Sequence, residues 1–277
     1  MELIAIVLSG VFSLFSNGGW IIDLIAGKTL SDQVVSIEEQ AIRIDNTPNF
    51  QLAQGKIDKV RIAYRGIKLN SYLKVDTLEL ETDAIALNVK NLNTENLQSL
   101  RSSLIKPLQG VGKIILTQAD LNQALQSPQL QQQLQQALNN LIARKAGNRT
   151  ITYEVSALEL KLYPNNRVKI QLQLRRLAKS QENNSKLAIS LEFGIKVLGG
   201  KKIQLVEPVG TVNGRPMSSR LLRGFAEGIS DRLDLSKIES QGILTRLLQL
   251  EITADKIELI AFARMETKPV PITSTER

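Results

Sequence analysis

Four carboxylates lie close together in the chain: Asp76, Glu79, Glu81 and Asp83. At that density carboxylates could hold a divalent cation or act as an acid–base pair. Glu79 and Glu81, however, are two residues apart in an alternating segment, so they share the wet face of one strand, whereas metal sites draw ligands from several elements. Surface charge is the reading. Gly110-Val111-Gly112-Lys113-Ile114 is the next candidate, as a phosphate-cradling loop. It lacks Ser or Thr after the lysine and its first glycine is wrongly spaced, so a turn ahead of a strand over 114–116 is expected instead. Asn148-Arg149-Thr150 fits a glycosylation sequon, which by itself says little. The sequence has no His and no Cys. That excludes disulfides, zinc sites built on those residues, Ser-His-Asp and Cys-His mechanisms, and histidine base catalysis. An enzyme of this composition would have to work with carboxylates and lysines. No catalytic residue, metal ligand or cofactor is expected.

The elements that would position any site are legible from periodicity. With 277 residues, 43% hydrophobic but only 4% aromatic, the core must be aliphatic. Val60, Ile62 and Tyr64 alternate with Lys59, Arg61 and Arg65; Leu78 and Leu80 alternate with Glu79 and Glu81. Ile42 and Ile44 suggest an earlier strand, and Ile85, Leu87 and Val89 a later one. One apolar and one wet face per strand predicts an antiparallel sheet covered on one side. Thr117 followed by Asp120 predicts a capped helix start, and Ser127-Pro128 a restart. Leu130, Leu134, Leu138 and Leu141 then form a stripe on a helix of about 14–16 residues, with glutamines between them.

The second half repeats this plan without a residue-level repeat. Leu158, Leu160 and Leu162 lead into a Pro164-Asn165-Asn166 turn, and Val168, Ile170, Leu172 and Leu174 return. After a polar loop at 180–185, Leu187, Ile189, Leu191, Phe193, Ile195 and Val197 predict an unusually long strand. Gly199-Gly200 and Asn213-Gly214 are turns; Ser218 or Ser219 caps a helix whose stripe holds Leu222, Phe225, Ile229 and Leu233. A short helical stretch is expected around Leu244, Leu247 and Leu248, then a closing hairpin. The fold class is α+β: long antiparallel sheets wrapped on long amphipathic helices.

Charge and hydropathy are unevenly placed. The net charge is +8. Residues 1–140 carry about −1 and residues 141–277 about +9. A basic half suits an anionic partner such as a phospholipid surface, or serves only as a solubilising face. Nucleic acid is not expected, because aromatics for base stacking are not interleaved with the basic residues. Residues 3–15 are mostly apolar, and Trp20, Ile21, Ile22, Leu24 and Ile25 resume after Ser16-Asn17-Gly18-Gly19. The run is too short to span a bilayer comfortably, and Asn17 and Asp23 would be costly in lipid. Three readings stay open: an atypical signal or anchor, an interfacial helix, and a helix capping the fold. As an interfacial segment it would touch membrane through Leu3, Phe12, Phe15, Trp20 and Ile21. The chain thus divides into an apolar segment over 1–29, a single domain over 30–266 and a disordered tail over 267–277.

A resemblance adds to this. The stretch from Leu52 through Tyr64-Arg65-Gly66-Ile67, the strand-into-helix sequence Ile115-Leu116-Thr117-Gln118-Ala119-Asp120-Leu121, and the Ile-Arg-x-Asp-Asn-x-Pro pattern ending at Pro48 resemble the LmeA-like phospholipid-binding family, a bacterial domain family of unknown function, in its cyanobacterial branch. The resemblance implies a tubular-lipid-binding-like fold, an elongated, strongly curved antiparallel sheet wrapped on long amphipathic helices, together with a phospholipid partner, membrane association and a cell-envelope location with the periplasmic side favoured. It carries over no functional residue individually. On the residues themselves, acyl chains would need apolar walls: Leu130, Leu134, Leu138, Leu141, Ile170, Leu172, Leu174, Ile189, Leu191, Phe193, Ile195, Phe225 and Ile229. Headgroups would need cations at the mouth: Arg167, Lys169, Arg175, Arg176, Lys201 and Lys202. The expected function is a non-enzymatic phospholipid-binding or lipid-carrier protein at an anionic bacterial membrane. The alternative is an envelope scaffold with a basic partner-binding face and no lipid cavity.

Overall fold

Alternating sequence becomes antiparallel strand almost wherever it occurs. The computed structural model describes residues 35–46, 48–91, 97–145, 152–177, 186–239 and 242–267. The first half comprises β1 (Glu39–Asp45), a 3-10 turn (Asn49–Gln54), β2 (Lys56–Ile57), β3 (Lys59–Lys68), β4 (Lys74–Thr82), β5 (Ile85–Ala86), a second 3-10 turn (Val89–Asn91), α1 (Leu97–Ser103) and β6 (Leu108–Thr117). Two helices follow, α2 (Gln118–Leu125) and α3 (Pro128–Lys145). The second half comprises β7 (Thr152–Tyr163), β8 (Arg167–Leu177), β9 (Lys186–Leu198), β10 (Lys202–Val212), β11 (Arg215–Pro216), α4 (Ser219–Ser230), α5 (Ser236–Glu239), β12 (Ile243–Ile252) and β13 (Lys256–Met265).

These strands form two main sheets. A six-stranded sheet has the order β1-β3-β4-β6-β13-β12, and a five-stranded sheet the order β11-β10-β9-β8-β7; β2 and β5 form a small pair. The last hairpin therefore returns to complete the sheet begun by the first half. Two apolar cores result. One lies over β3 and β4 and takes in Ile85, Leu100, Leu104 and Leu108. The other, larger, joins the five-stranded sheet to α2, α3, α4 and the β12–β13 hairpin.

The expected sheet wrapped on long amphipathic helices is not what forms. The protein is mostly antiparallel sheet, and its helices sit at sheet edges and ends. The principal neighbours of α3 are β7 and α2, and α4 lies along β10. The reason is visible in α3. Leu134 is buried and Leu130 half-buried, but of the glutamines beside them Gln135 is spent on the backbone of β7 and Gln131 on the Leu125 carbonyl of α2, so the helix offers a narrow apolar stripe instead of a face broad enough to be wrapped. Two local expectations also change. Leu244, Leu247 and Leu248 are in β12, not a helix. Gly110 through Ile114 is not a turn but the middle of β6, paired with β4 on one side and β13 on the other. There Gly110 is demanded by closeness: a Cβ would come within 2.6 Å of the Glu81 carbonyl oxygen.

Other local signals fold as read. Thr117 caps α2, its hydroxyl accepting from the Asp120 N–H at 3.1 Å and donating to the Asp120 carboxylate at 2.5 Å. Asn165 and Asn166 take left-handed φ values of 62° and 57° in the β7–β8 turn, as a tight hairpin of right-handed twist requires. The segment 1–29, the loop 180–185, the sequon 148–150 and the tail beyond Thr267 lie outside the described residues.

Candidate functional site

Strand alternation assembles the apolar part of the site. Register sets Leu158, Leu172 and Ile189 in one row across β7, β8 and β9; Leu160, Ile170 and Leu191 in the next; and Leu162, Val168 and Phe193 in a third. Leu174 and Ile195 extend the face, α4 adds Phe225 and Ile229, and α3 adds Leu134. Leu130 and Ile189 are half-buried against this cluster, and Phe193 is 0% exposed. Leu138 and Leu141 continue along α3, but their side chains lie outside the described part.

Helix α4 reaches this face because Gly210 steps out of its way. In the row of Leu191, β10 presents Gly210. A Cβ there would lie 2.6 Å from Leu191 Cδ2, 2.9 Å from Leu222 Cδ2 and 3.0 Å from Met217 Sδ. Upstream, β10 bulges between Val206 and Val209. Pro208 has no N–H to give to a ladder, and Glu207 is turned into the left-handed region at φ 49°. Beside the bulge the free edge of β10 is closed by α4 and its continuation. Ser230 Oγ accepts from the Leu205 N–H at 3.0 Å and donates to the Ala226 carbonyl at 2.7 Å, while the Leu233 carbonyl accepts from Ile203 N–H at 3.2 Å.

A cleft of about 440 Å³ opens where α4 crosses the bulge. Leu205 and Ala226, both members of the large core, form its floor, with Val206 and Pro208 on one wall. Lys202, Arg223, Glu207, Glu227 and Asp231 form a charged rim. A shallower depression of about 540 Å³ continues onto the outside of α4, lined by Arg220, Arg223, Gly224 and Glu227. The Lys202 ammonium is 2.7 Å from Asp231 Oδ1, and that hydrogen bond raises the lysine pKa above its ordinary value. Nearby, hydrogen bonds from Arg246 first and Lys201 next hold the Glu239 carboxyl below the usual carboxylate range.

The six cations expected at a headgroup mouth do not converge. Alternation along β8 sends Arg167, Lys169 and Arg175 to the face opposite Ile170, Leu172 and Leu174. There Arg167 bridges Glu192 at 2.9 Å and Glu207 at 3.3 Å, and Arg175 pairs with Glu154 at 2.6 Å. Arg176 is half-buried in register with Tyr153. Lys201 pairs with Glu239 at 3.4 Å, and of the six only Lys202 lines the cleft. Arg223 and Arg220 were missed; spacing on α4 would have found them, since they fall opposite the Leu222–Phe225–Ile229 stripe. Also missed was the amide stripe Gln118, Asn122 and Gln126, spaced by four along α2 and its C-cap, which bonds the outer edge of β7.

Of the four clustered carboxylates, Glu79 and Glu81 belong to an ion-pair ladder, whereas Asp76 accepts from the Thr77 hydroxyl and Asp83 from the Gln109 amide. Glu81 meets Lys59 at 2.6 Å and Arg61 at 3.0 Å, and Arg61 also meets Asp45. Glu79 meets Arg65 at 3.1 Å and Lys113 at 3.9 Å, and Lys113 reaches Glu258 at 3.8 Å. Lysine and arginine hydrogen bonds keep Glu81 below the usual carboxylate range. No group of three potential metal ligands occurs among the described residues. Among them, too, no helix is long and apolar enough to cross a membrane. The family model described as LmeA-like phospholipid-binding matches residues 18–262, while no curated protein and no solved structure matches significantly.

Proposed function

We propose, from the premise that the chain belongs to the LmeA-like phospholipid-binding family, that it holds a phospholipid without chemical change and carries it at a bacterial membrane, on the envelope side. The observation behind this is the cleft at α4 and β10, whose apolar floor is continuous with the large core and whose rim is charged. Acyl chains would enter between α4 and the inner face, against Phe225, Ile229, Leu191, Phe193 and Ile195. The rest of the aliphatic face would form the deeper wall: Ile170, Leu172, Leu174 and Ile189, with the α3 stripe Leu130, Leu134, Leu138 and Leu141. Apolar walls suffice for chains, and a phosphate needs cations at the mouth, here Lys202 and Arg223. Residues 30–266 would act as one unit. The apolar segment with Leu3, Phe12, Phe15, Trp20 and Ile21 would lie in the interface of an anionic bilayer.

Native mass spectrometry of protein purified from its own host tests the reading. Stoichiometric retained phospholipid is expected. Its absence on organic extraction, with no lipid uptake from vesicles, overturns it. Leu191→Trp sharpens the result, since a groove accepts the ring and loses lipid, whereas a filled core loses about 1–3 kcal/mol from overpacking. The second reading, a scaffold with a basic face and no lipid cavity, is favoured by the complete burial of Phe193 at 0% exposure. The same substitution separates the two.

A further inference from the structure

We propose that the outward face of α4, with Arg215 just ahead of it, is the surface on which the protein docks to an anionic bilayer, setting the mouth of the cleft against its lipid source. The proposal rests on the phospholipid-binding reading above and adds which face meets the membrane. The first support is electrostatic. Among the described residues, Arg215, Arg220 and Arg223 have no carboxylate within ion-pair distance, whereas Arg167, Arg175, Lys201 and Lys202 all do. On the exposed side of α4 the only acid is Glu227, so three cations face solvent against one anion. Charge without internal partners is the charge left for an external phosphate array.

The second support is shape. Gly224 and Gly228 stand on the same side, and a Cβ added to either would meet nothing within 4 Å. Packing therefore does not call for glycine there, and the helix backbone lies bare beside the arginines, where a headgroup approaches most closely. Leu221, 39% exposed on the flank of this face, supplies an apolar contact for shallow insertion. Arg223 lines both the outer depression and the cleft, so the docked face and the lipid entrance share a residue.

Flotation of the full chain with phosphatidylcholine vesicles, with and without phosphatidylglycerol, tests this. Partition should require phosphatidylglycerol and weaken with salt. Arg220→Ala and Arg223→Ala should each lower it about fivefold, as expected for one basic residue at an anionic surface. Both variants should melt like the parent, since neither breaks an ion pair. Lys169→Ala with Lys196→Ala, on the opposite sheet face, should leave partition unchanged. Equal partition of the α4 variants and the parent, or indifference of the parent to phosphatidylglycerol, overturns the proposal. So does loss of RNA binding in the variants with flotation intact, which would assign the face to a polyanion. Native mass spectrometry keeps the two ideas apart. Retained lipid with unchanged flotation sinks the docking face alone; lost flotation in a protein that never retained lipid sinks the carrier reading alone.

Discussion

The six-stranded and five-stranded sheets meet the same difficulty at their edges and resolve it differently. An edge strand leaves a row of N–H and C=O groups without a neighbour. In the five-stranded sheet both edges are sealed from within the chain. Along β7, Asn122 accepts from the Leu160 N–H and donates to the Leu160 carbonyl, both at 2.8 Å. Gln118 accepts from Leu162 N–H at 2.7 Å, and Gln135 accepts from Val155 N–H at 3.1 Å while donating to the Tyr153 carbonyl at 2.6 Å. A side-chain amide carries the same donor and acceptor as a peptide group, so these residues imitate a missing strand. Along β10 the same task falls to Ser230 and the Leu233 carbonyl.

The six-stranded sheet seals one edge, while the other has no further strand among the described residues. Asn166 accepts from Ile252 N–H at 2.6 Å and Gly200 accepts from Leu247 N–H at 2.7 Å, so two turns of the five-stranded sheet close β12. At the far edge, β1 has no neighbour beyond β3 among the described residues, and Ile42 and Ile44 are 56% and 53% exposed. Its outer face is instead held by the cross-strand ion pairs of Asp45, Glu79 and Glu81. One sheet is thus fastened by buried contacts and amides, the other in part by solvent-exposed charge. The two should fail under different stresses.

The largest difference should come from the cores. Phe193→Ala should cost about 3–5 kcal/mol in urea unfolding, whereas Ile42→Ala should stay within about 0.5 kcal/mol. Comparable losses would erase the contrast between the buried face of the five-stranded sheet and the exposed strand β1. Asn122→Ala should come next. It strips partners from both backbone groups of Leu160 and should cost about 1–3 kcal/mol. Hydrogen exchange should show lost protection at Leu160 and its neighbours on β7 with β3 unaffected; uniform loss across both sheets would mean that the amide stripe is not a local seal. Gly210→Ala should cost about 1–3 kcal/mol by pushing Leu222 and Met217 off β10. An unchanged melting temperature would show that α4 tolerates displacement.

The smallest effect should be acid sensitivity, and it should favour the six-stranded sheet. Hydrogen bonds from Arg43, then the Arg43 and Arg61 charges, hold the Asp45 carboxyl below its usual range; Lys59 and then Arg61 do the same for Glu81. A lowered folded pKa contributes stability above the unfolded value of about 4, and that stability is lost as pH falls through the folded value. Melting temperature should therefore decline modestly below about pH 4.5, less so in high salt or in Glu81→Gln. A decline equal in Glu81→Gln and parent would remove the ladder from the account.

Much of the fold was written in short-range pattern. Period-two alternation located β3, β4, β8 and β9, and Thr117, Ser218, Asn165 and Asn166 marked caps and turns, because backbone sterics and local hydrogen bonds act over a few residues. The zero counts of His and Cys bounded the chemistry, and the quoted segments sufficed to point to the family. What the residues alone did not settle were the choices that depend on distant partners. Leu244, Leu247 and Leu248 fit a helix stripe as well as a strand, and only the place beside β13 made β12 extended. Gln135 of α3 reads as filler between leucines until β7 lies beside it with the Tyr153 carbonyl and Val155 N–H to pair. Arg167 and Lys202 look alike in sequence, yet Arg167 leaves β8 on the face away from the core and pairs with Glu192 and Glu207, while Lys202 lines the cleft and pairs with Asp231. Residue type and spacing fix which side of its own element a side chain leaves; which neighbour it then meets is set by register and packing between elements far apart in the chain.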